Sequence, residues 1–203
     1  MTDAEYFLEL QTETGWGRVL ARFTEWCRPQ RGWLTLDVGT GPGLLPALLT
    51  RAGCCSFGTD LDPEMFQPNP LHKDVVIAES LVLPFPSRAF DLVTASNVLF
   101  LLPQPLMALK EISRLLHSDG QIALLNPSEH LSVAAATELA DQRGLQGLAR
   151  ETLINWAARA EETHRWTESQ LHELFARVGL EFVETATAVG PGFARFVRGF
   201  LFG

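Results

Sequence analysis

Apolar positions along this chain recur with two periods. Trp16, Leu20, Phe23 and Cys27 fall at helical spacing and predict an N-terminal helix that ends in the polar stretch 28–32. Short apolar runs rich in branched residues follow at 33–38, 54–59, 75–79, 90–96 and 120–126. They do not alternate strictly, which predicts strands covered on both faces, as in a parallel sheet. Helices are expected between them. One begins at Leu44, and another has Leu106, Leu109, Ile112 and Leu116 on its apolar face, with Pro105 near its start and Ser118-Asp119-Gly120 after it.

The last third reads differently. Thr167 and Gln170 have capping-box spacing ahead of Leu171, Leu174, Phe175 and Val178, and Gly179 stops that helix. Residues 180–187 and 193–200 read as two strands with no helical sequence between them, hence an antiparallel hairpin. Residues 128–165 are too many for one connection. Leu145, Ala149, Leu153, Trp156 and Ala160 recur at helical spacing there and predict one or two extra helices near the carboxyl ends of the strands, the edge at which open sheets bind ligands. A substrate cover and a packing insert are both compatible with this segment, and the N-terminal helical region 1–32 is expected to join it over the site.

A chain of 203 residues supports one well-buried core, so residues 1–203 are read as a single domain. The formal net charge is −8, and Lys73 and Lys110 are the only lysines against 14 arginines, which disfavours a broad nucleic-acid-clamping surface. Cys27, Cys54 and Cys55 show neither a disulfide framework nor metal-ligand spacing, so no metal is expected. The first residues lack the basic and apolar regions of a signal peptide, and the apolar run 98–109 is interrupted by two prolines. No membrane span is expected, and a cytoplasmic location is the simplest expectation.

The candidate chemistry gathers at Asp-Val-Gly-Thr-Gly-Pro-Gly, residues 37–43. Gly39, Gly41 and Gly43 let the chain turn sharply after a strand and leave backbone N–H groups, with Thr40 among them, free to meet a ligand. A nucleoside-triphosphate loop needs Lys and then Ser or Thr after the glycines, but Leu44 and Leu45 stand there. The dinucleotide fingerprint fails as well, because the third glycine comes one residue early and Asp37 would face a pyrophosphate. Asp60 ends the second strand, where a carboxylate accepts hydrogen bonds from ribose hydroxyls; as a crevice-edge group it is expected to add little to stability. Asp62, before Pro63, either joins the pocket or caps a short helix. Glu79 ends the third strand at the same crevice. Acids at 37, 60 and 79 around bare glycines describe a pocket for a nucleoside without phosphates and with a positive centre.

On these residues the chain resembles the class I S-adenosylmethionine-dependent methyltransferases of the small-molecule type. Residues 36–43 resemble that family's first signature, 58–65 its second-strand signature, 78–100 its adenine-side segment and fourth strand, and 108–124 its helix and turn before strand five. The resemblance implies an α/β, Rossmann-like three-layer sandwich with a seven-stranded mixed sheet in the order 3-2-1-4-5-7-6, strand seven antiparallel. It implies S-adenosyl-L-methionine as cofactor, with Asp37 and the Gly39, Thr40, Gly41 and Gly43 loop at its methionine part. Asp60 would take the ribose hydroxyls, Leu61 and Asp62 would flank the adenine, and Asn97 would lie near the sulfonium. Glu79 stands where many relatives carry aspartate, and Ser80 offers its backbone N–H to the ring.

Methyl transfer from a sulfonium is an in-line displacement whose main requirement is alignment, although a hydroxyl or carbon acid needs a base. His130 is the candidate base, with His164 after it; the alternative for either is to satisfy a local helix or pack beside an aromatic. Tyr6, Trp16, Trp156 and Trp166 are candidates for an apolar acceptor pocket, with core or surface packing as the alternative for each of them. The Asn/Asp-Pro-Pro-aromatic stretch of enzymes that methylate base amines is absent after strand four, as is the Pro-Cys nucleophile of cytosine-C5 enzymes. A small or medium organic acceptor is therefore expected, with monomer and homodimer both open. The second reading is a catalytically silent, cofactor-binding relative that serves as an interaction subunit.

Overall fold

Leu36 and Val38 have their side chains on one face of a strand, and Thr35 and Asp37 on the other, yet all four are buried. Such a strand must lie inside a sheet covered on both sides. A computed structural model describes residues 2–67 and 71–201 and shows this arrangement. Two helices, α1 (Asp3–Glu13) and α2 (Trp16–Trp26), precede β1 (Leu34–Val38). Then come α3 (Leu44–Arg51), β2 (Cys55–Asp60), a 3-10 turn at Pro63–Phe66, β3 (Val75–Ile77), β4 (Phe90–Ser96) and a second 3-10 turn at Leu99–Leu101. The chain continues through α4 (Pro105–Leu115), β5 (Leu116–Pro127), α5 (Val133–Gln142), α6 (Gly147–Glu162), α7 (Glu168–Ala176), β6 (Leu180–Ala188) and β7 (Ala194–Leu201).

The seven strands form one sheet in the order β3-β2-β1-β4-β5-β7-β6. Strands β1 to β5 pair in parallel, and β7 runs antiparallel to both β5 and β6. Sheet order and the terminal hairpin match the sequence expectation. From β1 the chain moves outward to β2 and β3, then returns to place β4 on the other side of β1. That reversal opens a crevice at the carboxyl ends of β1 and β4.

Each face has its own apolar core. On one side Leu20, Phe23, Leu45 and Leu49 from α2 and α3 meet Leu92, Leu125 and Phe196 of the sheet. Phe23 is fully buried and sits edge-on to Phe196, with ring centroids 5.1 Å apart, so truncating it to Ala would cost about 3–5 kcal/mol. On the other side Leu109, Ile112, Leu171 and Phe175 cover Val93, Ile122 and Leu124. The expected capping box of α7 is present: Thr167 Oγ1 accepts the Gln170 N–H, and Gln170 Oε1 accepts the Thr167 N–H. The long segment after β5 forms two helices, α5 and α6, which pack on each other; α6 also reaches α1 and the 3-10 turn at Leu99–Leu101.

Three boundaries differ from the sequence expectation. Strand β3 ends at Ile77, so Glu79 lies in the turn beyond it. Leu145 precedes α6 instead of lying on it. Leu116, expected on the apolar face of α4, is already in β5 and pairs with Phe90. Its next partner pair is Leu92 with Gln121, so residues 117–120 bulge out within the strand. The bulge is held by His117 Nε2, 2.6 Å from Asp91 Oδ1, while Asp91 Oδ2 accepts the Leu34 N–H at 2.7 Å. Ser118-Asp119-Gly120 does turn, with Asp119 at φ 64°, but inside a strand and not between elements.

Candidate functional site

A cavity of 1910 Å³ opens at the carboxyl ends of β1, β2 and β4 and extends beneath α1, α2 and α6. That is well above the roughly 300–1,000 Å³ of an ordinary small-molecule pocket, room for two ligands side by side. Its strand side carries Asp37, Gly39, Thr40, Gly41, Asp60 and Asn97, together with Leu61, Glu79 and Ser80. Eleven positions proposed from sequence for cofactor contact are thus mostly gathered; the exceptions are Gly43 and Asp62.

Asp37 is 1% exposed at the end of β1. Its Oδ1 accepts the Thr94 hydroxyl at 2.7 Å. Burial pushes its carboxyl up to about 7; the Thr94 hydroxyl pulls the other way, as does nearby Thr40, and Asp60 adds to the rise. The Thr40 hydroxyl, although close enough to favour the Asp37 carboxylate, makes no hydrogen bond of acceptable geometry and is buried. A carboxyl that burial pushes toward its neutral form and a hydroxyl without a partner therefore lie together at the cavity floor.

The glycines do three different things. Gly39, at φ 68°, passes under Val98: a methyl group on it would stand 2.1 Å from Val98 Cγ2. Gly43 starts α3 at φ 93°, and a side chain there would meet His72 Cβ at 3.0 Å. It is a packing glycine and does not line the cavity. Gly41 is bare for another reason, since an added methyl would meet only the Gln11 side chain, at 3.6 Å. Its N–H donates to Asp60 Oδ2 at 2.8 Å.

Asp62 takes the capping alternative left open by the sequence. Its Oδ1 accepts the Glu64 N–H at 2.9 Å and begins the 3-10 turn, and its side chain is not on the cavity wall. Leu61, beside it, is 67% exposed and does line the cavity. Asn97 takes a left-handed conformation, φ 56°, and its N–H donates to Leu125 O at 2.7 Å. Its side-chain oxygen accepts the Trp156 indole N–H at 3.1 Å.

On the helical side, Tyr6, Trp16 and Trp156 line the cavity. Trp16 and Trp156 meet edge to face with centroids 5.5 Å apart, and Tyr6 shares a hydrogen bond with Thr152 at 3.2 Å. Trp166 is instead buried in the core beyond α6, bridged through Ser128. His130 is a correction: its side chain is 58% exposed beside Glu129, with Nε2 3.6 Å from Oε1, and it does not line the cavity. Ser128 Oγ accepts the His130 backbone N–H at 3.2 Å. His164 stacks on Trp166 and is likewise outside. No histidine lines the cavity among the described residues, and no three His, Cys, Asp or Glu side chains among them gather as for a metal.

Several lining residues carried no local signal. Gln11 Oε1 accepts the Leu44 N–H at 3.3 Å, so α1 closes over the glycine turn. Arg18, Arg22, Arg143 and Arg159 also line the helical side, with Asp3, Glu13 and Glu162. Arg18 and Arg22 repeat at four-residue spacing, but nothing in the sequence says which face of α2 meets a cavity.

Residues 36–124 match a family model described as a methyltransferase domain. An uncharacterized methyltransferase of Mycobacterium leprae is 34% identical over 101 residues, covering 47% of this chain and 38% of that protein. The chain thus spans well under half the length of the first relatives it matches. Among solved structures, a SAM-dependent methyltransferase from Aquifex aeolicus superposes with a TM-score of 0.68 at 18% identity, covering 99% of this chain and 100% of its own. Magnesium protoporphyrin IX methyltransferase from Synechocystis, solved with bound SAH, gives a TM-score of 0.65 at 14% identity, with 91% and 82% covered. No helix among the described residues is long and apolar enough to cross a membrane. In sheet order, antiparallel β7 and matched domain alike, the chain has the fold of the class I S-adenosylmethionine-dependent methyltransferases.

Proposed function

We propose that this protein binds S-adenosylmethionine on the strand side of the cavity and catalyses transfer of its methyl group to a small or medium organic acceptor on the helical side. One observation carries the reading: Asp37, Asp60 and Asn97, at or just beyond three different strand ends, converge with the bare backbone of Gly41 on one cavity. The residues fit the cofactor. The Thr40 hydroxyl lacks a partner, Gly41 is bare with space before it, and Asp37 and Asp60 favour a ligand with an amino group and ribose hydroxyls. Asp37, Gly39, Thr40 and Gly41 would hold its methionine part and Asp60 its ribose. Leu61, Glu79 and Ser80 would border the adenine. Gly43 and Asp62 shape the two turns without lining the site.

When bound, the cofactor supplies an electrophilic methyl group on a sulfonium. The protein's task is then to align a nucleophile and exclude water. Tyr6, Trp16 and Trp156 form an apolar wall suited to that, and α1, α2 and α6 serve as the cover. With no histidine on the described wall, the reading favours a nucleophile that reacts once aligned over one that needs an imidazole base. We place the reaction in the cytoplasm, and light scattering would give the oligomeric state.

Calorimetric titration tests the reading directly. S-adenosylmethionine and its demethylated product should bind in the micromolar range and NAD far more weakly. Comparable NAD affinity, or no binding of either sulfur nucleoside, would end it. A labelled-methyl screen over metabolite extracts then finds the acceptor. Tight cofactor binding with no labelled product from any extract would favour a silent, partner-serving relative.

A further inference from the structure

The contact between Trp156 and Asn97 says more than that α6 touches the end of β4. An indole nitrogen only donates, so the atom 3.1 Å from Trp156 Nε1 must be the amide oxygen of Asn97, and the amide's orientation is thereby fixed. Both partners are held independently of each other. The Asn97 backbone is pinned by its left-handed conformation and its bond to Leu125 O at 2.7 Å. Trp156 is pinned by its edge-to-face contact with Trp16. The NH2 end of Asn97 is left without a protein partner among the described residues, in a half-buried side chain on the cavity wall.

An amide NH2 has two hydrogens to give and nothing to accept with. It pairs with an oxygen lone pair and is mismatched against the N–H of an amine. We infer that Trp156 is a positioning residue, which holds the Asn97 NH2 toward the acceptor half. The acceptor accordingly presents an oxygen at that point, as a hydroxyl, enol or carboxylate. This rests on the methyltransferase reading of the cavity and narrows it to a substrate class. A mismatch at a buried hydrogen-bonding position discriminates strongly, because the donor is left unpaired.

The test uses protein saturated with S-adenosylhomocysteine, titrated with 5-indanol and 5-aminoindane, two probes of one shape that differ in the oxygen and the amine. The indanol should bind several-fold tighter, up to about tenfold, the ratio that one net hydrogen bond supplies. Trp156→Phe keeps an aromatic ring against Trp16 but cannot hold the amide oxygen; Asn97→Asp keeps an oxygen for the indole but loses the NH2. In both variants the ratio should fall to about one or invert. Equal binding of the probes to the wild type, no binding of the indanol, or an unchanged ratio in both variants would overturn the inference. If the NH2 served the cofactor instead, both variants would weaken S-adenosylhomocysteine binding and leave the ratio alone, which also overturns it. Failure of the wild-type protein to bind S-adenosylhomocysteine at all would strike at the cofactor reading, a result distinct from each of these.

Discussion

Asp60 Oδ2 accepts the Gly41 N–H at 2.8 Å, and its Oδ1 accepts the Asp62 N–H at 3.1 Å. One carboxylate therefore ties the glycine turn after β1 to the turn after β2. Each oxygen keeps a lone pair for a further donor, so this bracing and a bond to ribose hydroxyls do not exclude each other. The sequence suggested a crevice-edge acid of little structural weight. The structure gives it two backbone partners.

Asp60→Ala should therefore have two effects. Cofactor binding should weaken by about 1.5–3 kcal/mol, the range for leaving a hydrogen-bonded group without its partner. The ligand-free protein should also unfold at a lower temperature, because the Gly41 and Asp62 N–H groups lose their acceptor. Calorimetry on the ligand and on unfolding reads the two separately. A folded variant with unchanged cofactor affinity would refute the ribose assignment.

Asp37 makes the ligand-free protein sensitive to pH in a direction opposite to that of a salt-bridged acid. Its folded value, about 7, lies above that of a carboxyl in the unfolded chain. Between the two values the folded state keeps a proton that the unfolded state has lost, so stability falls as pH rises through that window and levels off above about 7. Asp37→Asn should remove this slope in denaturant titrations at several pH values. A cationic ligand favours the charged carboxyl, so cofactor binding should release up to about one proton near pH 6 and almost none near pH 8. Titrations in buffers of different ionisation heat would count it; equal release at both pH values would remove Asp37 from the cofactor's surroundings.

Gly39→Ala tests the close approach under Val98. At φ 68°, with a methyl group 2.1 Å from Val98 Cγ2, the variant pays in backbone strain and in overlap. A loss of about 2–4 kcal/mol in unfolding free energy is expected. Adding Val98→Ala should recover the part due to overlap and leave the part due to φ. Full recovery would mean that the conformation itself is not strained.

His130→Ala serves as the control for the base that sequence reasoning proposed. With its imidazole outside the cavity beside Glu129, the variant should methylate a discovered acceptor at a rate within about twofold of the wild type. A loss of a hundredfold or more, of the size a general base contributes, would put His130 back in the chemistry.

The core elements were legible because their causes are local. Branched apolar runs predict covered strands, Thr167 with Gln170 predicts a helix start, and an uninterrupted pair of strands predicts a hairpin. The misplaced junction between α4 and β5 has a tertiary cause. Leu116 suits a helix face as well as a strand, and what assigns it to β5 is pairing with Phe90 together with the His117–Asp91 bond that holds the bulge. The glycine turn and the acids at 37 and 60 could be read as a site, since turn chemistry and strand ends fix their places along the chain.

The chain's own residues thus determined its covered strands, its terminal hairpin and where the glycine turn and the acids stand along the chain, while the order of the strands came with the family resemblance. They did not determine what faces that turn and those acids. Thr94 meets Asp37 across 57 positions, and Trp156 meets Asn97 across 59. Helical spacing placed Trp156 on the apolar stripe of α6 but not the stripe over β4, and it offered His130 as readily as any residue after β5. Periodicity reports which residues of one element share a face. Which faces then meet is settled by packing the whole sheet, and here that brought α6 over the end of β4 and left His130 outside the cavity.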